Sequence, residues 1–213
     1  MADIFDEVTE ELRQDQFKEI WKRYQKFIFL SLFLIISIVG GYKGYQYYKN
    51  QKILDNSKLF FNALSKIDNN KLADAEKLLL QLESNENTGY YLFSMFALAK
   101  LNMEKGNYLL MEKYYTSIIN NKSFEKFYRD LALIYLTINS KKISNDDKIK
   151  RLKPVITSPN KLQSFAAEME ILYLFDSNKN KIANKKLNDL INRSDIQNNQ
   201  KNRLNIIKEI FTK

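Results

Sequence analysis

Residues 88–120 read TGYYLFSMFALAKLNMEKGNYLLMEKYYTSIIN. Tyr91, Met95, Leu98, Ala99 and Leu101 recur at helical spacing. The turn Lys105-Gly106-Asn107 interrupts them, and Tyr108, Met111, Tyr114, Tyr115 and Ile118 then resume the period. Apolar residues three and four apart line one face of a helix. Gly and Asn between two such runs mark a turn. The stretch therefore predicts a helical hairpin, with the small Ala99 where the two helices cross closely and larger side chains filling the gaps around it.

The same pattern lies on either side. Upstream, residues 55–86 place Leu59, Phe60, Ala63, Leu64 and Ile67 before the turn Asp68-Asn69-Asn70, then Leu72, Ala75, Leu78, Leu79 and Leu82 after it. Ala63 and Ala99 are 36 residues apart, as are Ala75 and Met111. Downstream, Tyr128, Leu131, Ala132 and Tyr135 begin a third unit, with a longer loop from Asn139 to Asn145 and a short helix that Pro154 is expected to disturb. A looser fourth unit, 162–192, carries Phe165, Ala166, Met169, Leu172 and Tyr173, then Ile182, Leu187, Leu190 and Ile191. The second-helix pairs Leu78/Leu82, Tyr114/Ile118, Leu152/Ile156 and Leu187/Ile191 step by 36, 38 and 35 residues. A period in the mid-thirties of paired helices predicts a solenoid, closed by a capping helix at about 199–211 with Leu204, Ile207 and Ile210 on one face.

Composition agrees. With 5 Gly and 2 Pro in 213 residues the chain lacks the turn residues of an all-β fold. It has no Cys and no His, which removes disulfides, thiol chemistry, the usual zinc sites and histidine acid–base catalysis.

Ahead of the repeats, Phe27–Tyr42 (FIFLSLFLIISIVGGY) contains no charge. Spanning about 30 Å of hydrocarbon takes about 20 apolar residues. Lys26 and Lys43 extend the sixteen by snorkelling, and Tyr45, Tyr47 and Tyr48 continue into the interface. Trp21 and Tyr24 on one side and the tyrosines on the other suit the two water–lipid boundaries. The expected organisation is an amphipathic segment at 1–26, a transmembrane helix with its interfacial extension at 27–48, and the repeat domain at 49–213. The n-region is too long and too acidic for a cleaved signal peptide. Residues 12–26 hold five Lys/Arg against three (Lys43, Lys49, Lys52) in 43–57, which places the N-terminus on the cytoplasmic side. Within the span, Ser37, Gly40 and Gly44 form a small-residue stripe. It either lets a second helix approach, making a homo-oligomer, or reflects the general frequency of Gly in membrane helices. In 1–26, Ile4, Phe5, Val8 and Leu12 alternate with acidic residues. That segment either docks on a partner or on the leaflet, or is a solvated extension of the anchor.

The net charge of +9 is concentrated after Lys49, where 28 Lys/Arg face 18 Asp/Glu. That surplus could favour anionic lipid or acidic clients, but lysines scattered over solvated faces are the stronger reading. They form no stripe and the chain carries an anchor, so nucleic acid is not an expected partner, and membrane lipid is expected around the span. Carboxylate chemistry has no support. Glu168 and Glu170, two apart on a helix, face different ways, and Asp146 with Asp147 at a helix start is explained by capping. No phosphate-binding glycine motif occurs. No cofactor, metal or catalytic residue is expected, and the reading is of a non-enzyme. Tyr91, Met95 and Tyr128 on first helices are the candidates for contact with a bound protein, with core packing as the competing role for each.

The order Met95, Leu98, Ala99, Gly106, Tyr108, Tyr115, and again Tyr128, Leu131, Ala132, Tyr135, resembles the tetratricopeptide repeat. Met111 stands where that repeat usually has Ala, and Trp is absent from the units. The layout is an acidic N-terminus, Lys18-Glu19-Ile20-Trp21-Lys22-Arg23-Tyr24, one span and degenerate repeats. It resembles the YfgM-like family of bacterial inner-membrane proteins, ancillary subunits of the Sec translocon. The resemblance implies a periplasmic repeat domain, a place in the inner membrane beside the translocon, and periplasmic chaperones or a membrane-anchored prolyl isomerase as partners. It carries over no catalytic residues.

Overall fold

The computed structural model describes residues 2–82 and 89–211, with residues 2–16 and 28 as backbone alone. Among the described residues every regular element is a helix: α1 (Ala2–Asp68), α2 (Leu72–Gln81), α3 (Gly89–Glu104), α4 (Tyr108–Asn120), α5 (Lys126–Asn139), α6 (Asn145–Ile156), α7 (Gln163–Asp176), α8 (Asn180–Ile191) and α9 (Asn198–Phe211). The chain divides into two compact units, Met1–Asp55 and Asn56–Lys213.

In the first unit α1 is one continuous helix. The proposed amphipathic face, Ile4 to Leu12, and the acidic side chains beside it lie outside the described residues. One stretch within Phe17–Asp68 is long and apolar enough to cross a membrane, and none of it is buried against protein. The consecutive Phe33, Leu34, Ile35 and Ile36 are all exposed, so the exposure runs around the whole circumference, unlike the one-sided burial of a core helix. A Cβ built on Gly40, Gly41 or Gly44 meets nothing within 4 Å. No neighbouring helix of this chain requires these glycines to be small.

In the second unit the hairpins repeat one local device. Asn70 (φ 58°), Gly106 (φ 77°) and Asn178 (φ 58°) are the described residues with left-handed backbone. They lie 36 and 72 residues apart. Each follows a first helix and closes it in the same way. The Lys71 N–H donates to Lys66 O at 2.8 Å, Asn107 N–H to Asn102 O at 2.7 Å, and Lys179 N–H to Leu174 O at 2.9 Å. This six-to-one bond satisfies carbonyls that a helix end leaves orphaned. Second helices then start at equivalent positions, and Ala75, Met111 and Ala183 are all fully buried against their partners.

Two sequence expectations shift here. The fourth unit, read as the loose one, has the same turn as the first two. Asn178 does there what Gly106 does in unit two, because Asn tolerates the left-handed region. The irregular unit is the third, where α5 ends in extended Ser140 rather than a left-handed turn. The buried frame of the second helices also runs through Leu79 and Tyr115, one residue beyond the expected Leu78 and Tyr114, which are half-buried. Pro154 does not end α6, which continues to Ile156. The helix holds there because Leu152 and Val155 are completely buried, and Thr157 closes its last turn through both its N–H and its hydroxyl on Lys153 O. The start of α6 is capped by Ser144, with Asp147 as its partner, while Asp146, also expected to cap, pairs with Lys179. Ser144 Oγ accepts from Asp147 N–H at 3.2 Å and donates to the Asp147 carboxylate at 2.7 Å. That second contact holds the Asp147 carboxyl below its usual pKa.

The core is built in successive clusters. Ala63, Leu79 and Leu98 join the end of α1, α2 and α3. Met95, Ala99, Met111, Tyr115, Ile118, Ala132 and Leu136 join α3, α4 and α5. Ile134, Leu152, Val155 and Ala166 join α5, α6 and α7. Ile171, Phe175, Leu187 and Leu204 join α7, α8 and α9. Each cluster joins helices of adjacent hairpins, as a solenoid requires. The expected junction between the first two hairpins, residues 86–88, lies outside the described residues.

The cap α9 is held by more than apolar contact. Glu168 of α7, 3% exposed, accepts from Gln200 Nε2 at 3.0 Å and from Arg203 Nε and Nη2 at 3.1 and 2.9 Å. The rings of Phe175 and Phe211 stack with centroids 4.4 Å apart. Glu170 faces elsewhere and pairs with Lys186 of α8 at 2.9 Å. The two carboxylates therefore diverge, as their spacing predicts.

Candidate protein-binding surface

The first helices α3 and α5 run side by side and leave a groove of about 610 Å³ between them. Phe93, Phe96, Ala97, Lys100 and Met103 form one wall, and Tyr128, Leu131, Tyr135, Ile138 and Asn139 the other, with Tyr115 of α4 beneath. The spacing explains the walls. Residues 93, 96, 100 and 103 share one face of α3, and residues 128, 131, 135 and 138 share one face of α5.

Ring contacts hold the groove in shape. Phe93 meets Tyr128 edge-on at 6.1 Å, Phe96 meets Tyr135 at 6.3 Å and Tyr115 at 6.1 Å, and Tyr115 stacks on Tyr135 at 6.0 Å with the planes 11° apart. Such pairs contribute about 0.5–1.5 kcal/mol beyond their area. Further rings extend the strip toward α1, where Phe60 packs on Phe93 at 6.2 Å and on Tyr90 at 5.8 Å. Despite these contacts Phe93 and Tyr135 remain 42% and 43% exposed, and Phe61 and Ile138 are exposed as well. Contiguous exposed rings on a soluble surface mark a site that another molecule covers. Burial, and then the neighbouring Tyr135, push the Tyr115 hydroxyl up to about 12, so it stays a neutral hydrogen-bond donor at any physiological pH.

The three contact residues expected from sequence separate. Met95 is 3% exposed and belongs to the core, so it is unavailable to a partner. Tyr91 is half-buried at the edge of the same core, its ring 5.9 Å from Phe124. Tyr128 alone lines the groove. Sequence reasoning passed over Phe93, Phe96, Lys100 and Ile138. The signal was present in Phe93, Phe96, Lys100 and Met103, a second helical stripe on α3 displaced from the one that reads as core. Ser37, Gly40 and Gly44 lie on α1 in the other compact unit and belong to a different surface. Among the described residues no group of three or more acidic side chains is placed to hold a metal ion.

The sequence profile of the tetratricopeptide repeat-like domain matches residues 18–171, which takes in the juxtamembrane segment, the apolar stretch of α1 and the helices through more than half of α7. No curated protein and no solved structure matches the chain.

Proposed function

The chain belongs to the tetratricopeptide repeat-like domain family, and from that premise we propose that it is a membrane-anchored scaffold or chaperone-like protein that binds segments of other proteins in the α3/α5 groove. Domains of this kind act as protein-interaction modules. The observation that carries the reading is the open aromatic groove, whose rings stay exposed even after the contacts that shape it. The uncovered apolar circumference of α1 supports an anchor in lipid, and the excess of Lys/Arg on its N-terminal side supports a cytoplasmic N-terminus. The likeness of the whole layout to the YfgM-like family supports a periplasmic repeat domain at the bacterial inner membrane, with the Sec translocon and periplasmic folding factors as neighbours. The test is a photo-crosslinking amino acid at Tyr135 or Phe93 in intact membranes, with Leu109 of α4 as the control position. Discrete protein adducts from the groove positions and none from Leu109 are expected. Equal labelling at all three sites would remove the groove from the reading.

A second reading, assembly by self-association through the span, rests on the open glycine face of α1. Gly40→Leu and Gly44→Leu create no clash within the chain, so a change in native-gel migration would report a lost helix–helix contact. Unchanged, monomer-sized migration argues against it.

A further inference from the structure

We infer that Tyr115 sets what the α3/α5 groove accepts: its hydroxyl donates to an uncharged carbonyl oxygen of the bound segment, which lies extended at that point. This rests on the groove being a protein-binding surface and names the chemistry of its floor. Among the residues that line the groove, Tyr115 is the one buried side chain, 4% exposed. Its ring packs against Phe96 at 6.1 Å and Tyr135 at 6.0 Å. Its hydroxyl makes no hydrogen bond to any described residue. A phenylalanine would meet the same two rings equally well. The hydroxyl therefore adds nothing to the packing, and a buried polar group without a partner costs stability. Such a group in the floor of an open groove is a donor held for an occupant.

Two other polar groups of the groove are already engaged. Asn139 Nδ2 donates to Tyr135 O at 2.8 Å, and Lys100 pairs with Glu104 at 3.8 Å. The hydroxyls of Tyr128 and Tyr135 belong to less buried rings. The acceptor that meets Tyr115 is neutral. A carboxylate drawn to this floor would exchange its water for one neutral donor among rings, which is far less favourable than placing an amide carbonyl there. A main-chain carbonyl is open only where the segment is not helical, because a helix engages its carbonyls with its own amides four residues on. An extended stretch leaves a carbonyl for Tyr115 while its apolar side chains lie on Phe93, Phe96 and Ile138.

The test uses the full chain in nanodiscs of zwitterionic lipid. The probes are short fluorescent peptides of Leu, Phe, Ser and Thr, blocked at both ends, and anisotropy reads their affinity. A scan replaces one main-chain carbonyl at a time by a thioamide, a weaker acceptor. Tyr115→Phe should weaken the parent peptide by about tenfold, and a thioamide at one position should weaken its binding to the unaltered chain. Combining the two should add no further loss. The thermal midpoint of Tyr115→Phe at neutral pH should hold or rise, since the change removes no hydrogen bond of the fold. A peptide of the same composition stapled into a helix should bind more weakly and ignore Tyr115→Phe. If the parent peptide binds and Phe93→Ala weakens it, but Tyr115→Phe binds it unchanged or melts lower, the donor role is overturned and the groove stands. A stapled helix that loses as much affinity as the parent overturns the extended conformation. If no peptide binds, or Phe93→Ala weakens none, the groove falls and this inference with it.

Discussion

Replacing Arg203 by Met should loosen the cap far more than replacing Glu168 by Gln, although both break the same contact. Arg203→Met leaves the Glu168 carboxylate, 3% exposed, with Gln200 as its one remaining partner. Removing one member of a buried pair costs about 3–5 kcal/mol because the other charge is left uncompensated. Arg203 is itself 51% exposed, so water enters the vacated place and brings the expected loss to about 2–3 kcal/mol. Glu168→Gln keeps the shape and leaves an amide that accepts from Gln200 or Arg203, while the freed guanidinium turns to solvent. Its cost is about 1 kcal/mol. At about 1.4 kcal/mol per tenfold, the amides of α9 should exchange about 30- to 140-fold faster in Arg203→Met and about fivefold faster in Glu168→Gln. Hydrogen–deuterium exchange of the full chain in nanodiscs reads this directly, with α2 and α3 as internal references. The double variant holds no buried charge and should be more stable than Arg203→Met alone. Equal effects of the two single changes, or a double variant worse than either, would falsify the account of Glu168 as a buried charge held by the cap.

Two further outcomes follow from the repeats. Gly106→Ala should cost about 1 kcal/mol by urea titration followed by circular dichroism, from left-handed backbone alone, since its added Cβ meets nothing within 4 Å. An unchanged midpoint would mean that the turn does not require that conformation. Tyr115 gives an alkaline limit. Its hydroxyl is raised from 10.0 to about 12 in the fold, so the folded chain holds a proton that the unfolded chain loses first. The associated stability is whole below pH 10.0 and is lost as pH rises toward about 12, to a total of about 2–3 kcal/mol. Tyr115→Phe should flatten that part of the stability–pH curve. A curve of the same slope in the variant would assign the loss to other groups.

The sequence disclosed the hairpins because two signals coincided in units one and two, helical apolar spacing and a turn rich in Asn or Gly. It was ambiguous where one signal was duplicated. Leu78-Leu79 and Tyr114-Tyr115 each offer two adjacent large residues, and only packing against the first helix decides which one turns inward. Ser177-Asn178-Lys179 escaped notice because Asn in a left-handed position leaves no mark in a chain rich in Asn. The groove was half legible. The α5 wall, Tyr128 to Tyr135, stands out as a stripe, but α3 is apolar on nearly every side, so periodicity could not divide its core face from its open one and Met95 was exchanged for Phe93 and Phe96. The grip of Arg203 on Glu168 joins residues 35 apart on different hairpins, a pairing no local pattern reports.

The stacking rule shared by the first, second and fourth hairpins lapses between Asn139 and Asn145, and that makes the array mechanically uneven. A rod whose joints are alike shares a bend among them, whereas one odd joint collects it. The groove walls and the tyrosine beneath them lie on the N-terminal side of that joint, save Asn139, which stands at its start. Strain from a tug on the cap end would be absorbed there, and the grip on whatever lies between α3 and α5 would keep its geometry.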